Sequence, residues 1–325
     1  MNEKITLSGV PETMLQTLYA RAKETRTRGA IRDEKAAALV ERIDYDFSLA
    51  DKDAAMHSGV IARTIVLDRL VEGFLAQHQS AAVVNLACGL DTRCYRVEGY
   101  GRWYNLDLPE TMAVRAELLP ESGKITQLAM SAMDDWSAAV EERDAPTLVI
   151  IEGLTMYLSE RDVQRIFEVI AARFPRVTVL VETMSPAVVR RFKEKSIEGS
   201  GARFTWGVAD GAALARLLPG FRLVEEHSLC EGMAAFVPVY RLLDRIPSCA
   251  ISPTGSWCWK GRDGVCPERQ RSFRRCHKPH VPRHGDFQAP EHGLDRRARR
   301  LRARVGGEHL LLPQGRHDYH DGRRL

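Results

Sequence analysis

Residues 83–96 read V-V-N-L-A-C-G-L-D-T-R-C-Y-R, an apolar run that ends at A-C-G. Such a run predicts a buried strand that turns sharply at its carboxyl end, which is where open α/β sheets bind their ligands. The next apolar run, W-Y-N-L-D at 103–107, ends in a carboxylate. Gly89 would let a ligand approach the backbone closely, and Asp107 could accept both hydroxyls of a ribose. Together they predict a site for an adenosine-containing ligand.

Three motifs follow one another along the chain: A-C-G-L-D-T-R at 87–93, Y-N-L-D-L-P-E at 104–110 and I-E-G-L-T-M-Y-L at 151–158. In this order they resemble the leucine carboxyl methyltransferase family, which includes the tetracenomycin polyketide O-methyltransferases. The similarity runs from about residue 17 to about residue 247. The resemblance implies a class I methyltransferase fold, S-adenosylmethionine as cofactor, and methyl transfer to an oxygen.

Apolar periodicity predicts an α/β protein with a doubly wound, Rossmann-like parallel sheet. We expect strands at about 82–87, 102–106, 125–128, 147–151, 177–181 and 222–227. We expect helices at about 12–23, 34–42, 61–77, 160–173 and 211–218, the last two capped by Ser159 and Asp210. The predicted domains are an amino-terminal helical cap at 1–80, a cofactor-binding core at 81–247 and an irregular basic tail at 248–325.

The tail differs from the rest of the chain in charge. The 325 residues carry a net charge of +4, but residues 248–325 hold 17 Lys and Arg against 8 Asp and Glu, so the first 247 residues are net acidic. Three interpretations remain: a disordered basic arm, a metal or nucleic-acid module, and sequence translated out of frame. Since the cysteine and histidine spacings there fit no common zinc pattern, we predict no metal site.

The out-of-frame interpretation has its own support. Residues 248–261, back-translated with GC-rich codons and read from the third base, give an apolar strand that is similar to the usual ending of the family. We therefore formulate the hypothesis of a one-nucleotide frameshift at or just before Ser248. In this fold the last strand inserts antiparallel between two others, so its loss would expose a sheet edge.

Composition narrows the class of protein. No apolar run is long enough to span a bilayer, and no signal-peptide core follows the first residues, so we predict a cytoplasmic protein with no membrane partner. The seven cysteines are odd in number and lack C-x-x-C spacing, which argues against a disulfide framework. We expect a small-molecule substrate and no nucleic-acid partner. The sequence does not indicate an oligomeric state.

The resemblance implies roles for further residues at the cofactor. Asp91, in the D-T-R motif, would border the methionine moiety, while Arg63 and Lys35 would approach the cofactor carboxylate. The residues alone leave alternatives open. Asp91 and Arg93 could form an ion pair that braces the turn, Arg63 could lie on a solvated helix face, and Lys35 could belong to a charged helix start.

Other candidates lie at later strand ends. Glu152 follows an apolar run and needs a cationic or donor partner if it is buried, for which the cofactor ammonium would serve. Ser131 is expected near the adenine edge, with an ordinary polar loop as the alternative. Tyr157 could orient a substrate oxygen, with packing as the alternative. No catalytic base is identified, because the histidines before the tail are expected at the surface or at loop ends: His57, His78 and His227.

These features predict an S-adenosylmethionine-dependent O-methyltransferase that acts on a carboxylate or hydroxyl of a small, polyketide-like metabolite. A carboxylate acceptor needs no base at neutral pH, whereas a phenol with a pKa near 10 would benefit from one. The alternative is a non-catalytic protein. It would be a methyltransferase remnant or a nucleic-acid-binding protein that acts through the basic tail.

Overall fold

The structure is a computed structural model that describes residues 3–4, 13–142, 144–191, 203–240 and 254–260. The chain divides into two compact units, Met1–Cys266 and Pro267–Leu325, and the second lies outside the described residues. Among the helices that the structure describes, none is both long and apolar enough to cross a membrane.

Helices and strands alternate through the first unit. The helices are α1 (Thr13–Arg26), α2 (Glu34–Arg42), α3 (Ser48–Lys52), α4 (Ala54–Gln77), α5 (Pro109–Leu118), α6 (Glu160–Arg173), α7 (Pro186–Arg191), α8 (Gly211–Leu217) and α9 (Leu229–Met233). The strands are β1 (Glu3–Lys4), β2 (Ile43–Asp44), β3 (Ala82–Leu86), β4 (Arg102–Asp107), β5 (Ile125–Ala129), β6 (Thr147–Ile151), β7 (Val177–Met184), β8 (Arg222–Ser228) and β9 (Thr254–Lys260).

The main sheet has the strand order β5-β4-β3-β6-β7-β9-β8. Strands β3 to β7 are parallel, and β9 runs antiparallel to both of its neighbours. The chain proceeds outward from β3 to β5 on one side and then returns to the other side at β6. Such a reversal leaves a crevice at the carboxyl ends of the central strands, where doubly wound proteins bind ligands.

The central strands are buried on both faces, which explains their continuous apolar sequences. Val83 of β3 packs with the α4 side chains Leu67 and Val71 on one face of the sheet. Its neighbour Val84 lies in the cluster that contains Ile166 of α6 on the other face. This alternation follows from the two-residue period of a strand, and it confirms the doubly wound fold.

Local capping agrees with the sequence. Ser159 accepts a hydrogen bond from the Asp162 amide in a capping box at the start of α6, and Asp210 accepts from the Ala213 amide at the start of α8. Helix α4 begins at Ala54, earlier than the predicted residue 61, because the Asp53 side chain caps it by accepting from the Met56 amide.

The segment for which we predicted an irregular tail contains a strand. Residues Thr254–Lys260 form β9, which pairs with β7 from Thr178 to Met184 and with β8 on its other side. This is the position, antiparallel between two strands, that the shifted reading frame predicts for the family's last strand. The structure therefore fills that position with residues of the present frame. The remaining tail, including the basic cluster at 296–302, lies outside the described residues.

Candidate active site

A cavity of about 280 Å³ opens at the carboxyl ends of the central strands. The parallel register places Leu86 of β3 opposite both Leu106 of β4 and Ile151 of β6, so the residues that follow these strands emerge at the same edge. Seven of the eight predicted site residues line this cavity: Arg63, Gly89, Asp91, Asp107, Ser131, Glu152 and Tyr157. The structure therefore brings together most of the side chains that the sequence indicated.

A hydrogen bond joins Gly89 directly to Asp107. The Gly89 amide donates to Oδ2 of Asp107 over 2.7 Å, and the Leu108 amide donates to Oδ1 over 2.7 Å. Gly89 has a φ of +46° and Ala87 has a φ of +52°, so the turn after β3 enters the left-handed region twice. Burial raises the pKa of Asp107 above its ordinary value, although the two amide hydrogen bonds oppose that shift.

Glu152 finds its partners within the protein. Arg63 Nε lies 2.9 Å from Oε1 of Glu152, and Arg93 Nη2 lies 2.9 Å from Oε2. Burial alone would raise the pKa of Glu152, but the charges of Arg93 and Arg63 lower it below its ordinary value. Two arginines thus supply the cationic partners that the sequence led us to expect from a cofactor ammonium.

Arg93 is the centre of a buried ion-pair network. Its side chain is 1% exposed, and it donates to Asp68 at 2.6 Å, to Asp91 at 2.7 Å and to Glu152 at 2.9 Å. Asp91 also accepts from the Asn85 amide group at 2.8 Å. The interpretation of the D-T-R motif as an ion pair that braces the turn agrees with these contacts, and Asp91 lines the cavity as well.

Arg63 joins this network to a second carboxylate. Its Nη1 lies 3.3 Å from Oε2 of Glu182, and the same carboxylate oxygen accepts from the Gly153 amide at 2.7 Å. Burial raises the pKa of Glu182, which the charge of Arg63 opposes and the charge of Glu152 reinforces. Glu182 was not among the predicted residues, although its position inside the apolar run V-L-V-E-T-M indicates a buried carboxylate that needs a partner.

Of the remaining predicted residues, Ser131 and Tyr157 line the cavity and Lys35 does not. Ser131 lines the cavity, and its hydroxyl accepts from the Met133 amide at 3.2 Å. Tyr157 also lines it, with its ring centroid 5.4 Å from that of Phe204. Lys35 is not part of the lining, since its ammonium lies over the ring of Tyr95 at 4.9 Å from the centroid.

Two further residues of the lining were missed because they lie on helices, outside the three quoted motifs. Arg21 of α1 donates to the carbonyl of Leu90 at 2.7 Å and to the buried carboxylate of Asp33 at 2.9 Å. Thr111 of α5 is 1% exposed, and its hydroxyl has no hydrogen-bond partner among the described residues. A buried hydroxyl on the cavity wall can satisfy its bond with a bound ligand.

No histidine is present in the lining that the structure describes. The expectation that His57 is a surface or loop-end residue is wrong, because it lies within α4 and is largely buried. Its side chain is 12% exposed, and Nε2 lies 3.0 Å from the fully buried carboxylate of Glu24, so its role is in the packing of α4 against α1. His227 contacts Glu225 and Glu231 at the end of β8.

Comparison with known proteins assigns the family. A family model for leucine carboxyl methyltransferases matches residues 14–171. The tetracenomycin polyketide synthesis O-methyltransferase TcmP of Streptomyces glaucescens is 36% identical over 239 residues, covering 71% of this chain and 87% of that protein. The S-adenosyl-L-methionine-dependent methyltransferase dpfgK of Gibberella zeae is 31% identical over 247 residues, which cover 68% of this chain and 83% of that protein.

A solved structure of the N-methyltransferase NodS from Bradyrhizobium japonicum with S-adenosylhomocysteine is 11% identical, with a TM-score of 0.44, covering 71% of this chain and 100% of that one. The identity to TcmP and the coverage of its length decide the assignment. Together with the strand-end motifs and the doubly wound sheet, they show that the chain belongs to the leucine carboxyl methyltransferase family.

Proposed function

We propose that this S-adenosylmethionine-dependent methyltransferase binds its cofactor in the cavity at the strand ends and methylates a hydroxyl or carboxyl oxygen of a small metabolite. The main support for the proposal is the hydrogen bond between Gly89 and Asp107, which both line that cavity. The similarity to a polyketide synthesis O-methyltransferase supports an oxygen as the acceptor. Nothing in the comparisons favours a nucleic-acid-binding role for the basic tail.

The cavity lining fits S-adenosylmethionine in charge. Acidic side chains outnumber basic ones in the lining: Asp91, Asp107 and Glu152 against Arg21 and Arg63. The cofactor carries an ammonium, a sulfonium and a carboxylate, so its net positive charge complements a lining with an acidic excess. The buried Thr111 hydroxyl, which has no partner among the described residues, offers one more polar contact.

Asp107 is suited to the ribose hydroxyls. A carboxylate has about four lone-pair sites, and the two backbone amides use one site on each oxygen, so each oxygen retains capacity for a hydroxyl donor. Gly89 lets the cofactor approach the backbone beside that carboxylate. Arg63, whose side chain is 15% exposed and whose orientation is fixed by Glu152 and Glu182, would bind the cofactor carboxylate.

When bound, the cofactor supplies an electrophilic methyl group on a sulfonium, whose transfer depends chiefly on near-attack geometry. The chain therefore has to hold the acceptor and exclude water. Apolar side chains of the lining serve this purpose, among them Met133, Leu154 and Leu158. Tyr157 and Ser131 line the same cavity. Tyr157 would orient an acceptor oxygen, and Ser131 would border the adenine edge.

Calorimetry and a methyl-transfer assay test the proposal. We expect the full chain to bind S-adenosylmethionine and to transfer its methyl group to a member of a panel of carboxylic acids and phenols. Asp107→Ala should abolish both signals, whereas Asp210→Ala, which removes a helix cap outside the cavity lining, should retain them. Cofactor binding that survives Asp107→Ala would place the site elsewhere.

A further inference from the structure

The Gly89 turn is held by a second side chain, outside the lining. Arg115 of α5 is completely buried, and its Nη1 donates to the carbonyl oxygen of Gly89 over 2.8 Å. Its Nη2 donates to Oε1 of Glu121 over 2.6 Å. The guanidinium therefore bridges the site glycine and a buried carboxylate, which its planar fork of donors allows.

Glu121 is fixed by donors from two strands of the sheet and from the turn after β3. Asn105 of β4 donates to it at 3.1 Å, Gln127 of β5 at 2.9 Å and the Tyr95 hydroxyl at 3.1 Å. Burial alone would raise the pKa of Glu121, but Arg115 lowers it below its ordinary value, so the group is a carboxylate at neutral pH. Because Asn105 and Gln127 sit on β4 and β5, the carboxylate is held in place relative to Asp107 at the end of β4.

Gly89 thus carries two oriented contacts. Its amide donates to Asp107, and its carbonyl accepts from Arg115. Ala87 and Gly89 both have positive φ, and non-glycine residues rarely adopt that region without support from the surrounding structure. Loss of the carbonyl contact would allow the turn to rotate and would move the amide away from the Asp107 carboxylate.

We propose that Arg115 is a positioning residue for the cofactor ribose, acting through the Gly89 carbonyl to hold the Gly89 amide and the Asp107 carboxylate in their bonded arrangement. The inference rests on the proposed function, since Asp107 is taken to accept the ribose hydroxyls. A general contribution to stability does not explain this geometry well, because buried ion pairs are on average no more stabilising than apolar pairs of similar volume.

Two variants separate positioning from folding. Arg115→Lys keeps a charge beside Glu121 but cannot bridge to the Gly89 carbonyl with a single ammonium. Arg115→Met combined with Glu121→Gln removes both charges and leaves no unpaired carboxylate in the core. Arg102→Met is the matched control, since this arginine pairs with Glu142 at the opposite end of β4.

The readout is the ratio of the dissociation constants for S-adenosylhomocysteine and its 2′,3′-dideoxy analogue, measured by calorimetry on folded protein. In the wild type the hydroxyls should favour S-adenosylhomocysteine. In both variants of Arg115 we expect that preference to fall about tenfold, as for the loss of a well-placed hydrogen bond, with affinity for the analogue changed by less than about twofold. Arg102→Met should keep the wild-type ratio.

Equal weakening of both ligands, an unchanged ratio, or failure of both variants to fold would each overturn the inference and leave Arg115 a structural residue. Failure of the wild type to bind S-adenosylhomocysteine would have a different meaning. It would contradict the proposed function itself, and the inference would fall with it.

Discussion

The first helix packs directly onto the site glycine: a Cβ built on Gly89 would lie 2.9 Å from the Cβ of Met14. From the sequence alone we expected a ligand to approach the backbone closely here, so that an added side chain would be in its way. The structure adds a collision with α1, so the amino-terminal helices and the strand-end turn are in contact before any ligand binds.

Gly89→Ala should therefore destabilise the protein as well as weaken cofactor binding. The φ of +46° adds strain of about 1–2 kcal/mol for a residue with a side chain, and the contact with Met14 adds to it. Gly29→Ala is the matched control, since Gly29 has a φ of +70° with open space around the added atom. Urea unfolding should show a larger loss of unfolding free energy for Gly89→Ala than for Gly29→Ala. Equal losses would mean that α1 can shift away from the added methyl group without destabilising the protein.

Asp107→Asn should weaken S-adenosylmethionine binding by at least about tenfold, because the carboxylate oxygens form charge-assisted hydrogen bonds and the amide retains one acceptor oxygen. The variant should stay folded, since one oxygen remains to accept a backbone amide. Asp210→Asn serves as the control for an aspartate that accepts a backbone amide outside the lining. Calorimetry would contradict the assignment if both variants bound like the wild type.

Arg63→Ala should reduce stability by about 3 kcal/mol, because it leaves Glu152 and Glu182 buried with fewer cationic partners. Adding Glu182→Gln should restore part of that stability, since the amide needs no counterion. Cofactor affinity should stay reduced in both, though less than in Asp107→Asn. A double-mutant cycle of urea unfolding measures the coupling, and simple additivity of the two changes would show that Glu182 does not depend on Arg63.

Stability should fall in mildly alkaline solution because of His227. Burial would lower the pKa of His227, but hydrogen bonds to Glu225 and Glu231 raise it to about 9, above the ordinary value of 6.5. A raised pKa in the folded state gives a contribution that is complete below about pH 6.5 and is lost as the pH rises through about 9. Between pH 6 and pH 10, the urea concentration at the midpoint of unfolding should drop more for the wild type than for His227→Gln. An equal drop in both proteins would contradict a stabilising role for the His227 charge.

Ending the chain after residue 247 should abolish cooperative unfolding, because β7 and β8 would lose the strand between them, at a cost of about 4 kcal/mol or more. Ending it after Cys266 keeps β9 and the whole first unit, so the thermal midpoint should stay near that of the full chain. Equal midpoints for the two truncations would show that β9 contributes nothing to the sheet.

The frameshift hypothesis remains a prediction that the gene can test. The nucleotide sequence across codons 246–259 should encode, one base over, an apolar strand like the family ending. A chain restored to that frame should unfold at a higher temperature than the present one. An intact frame with no shifted similarity would contradict the hypothesis.

By itself the sequence determined the doubly wound fold and the neighbourhood of Gly89, Asp107 and Glu152. Each of these residues lies at or just after the end of an apolar strand, and the carboxyl ends of adjacent parallel strands meet at one edge whatever else the chain does. Capping by Ser159 and Asp210 was equally local and could be predicted, because a cap depends on residues within a few positions of each other.

Only the tertiary structure decided which charges meet. Arg63 and Glu182 are 119 positions apart, and nothing in either local sequence indicates that α4 brings the guanidinium to the end of β7. The same packing turns Lys35 toward Tyr95 rather than the cavity and sets Met14 against Gly89. Hydrophobic periodicity indicates which face of a helix or strand is buried. The partner of a buried charge depends instead on how the helices and strands pack together, and that packing depends on all the contacts of the core.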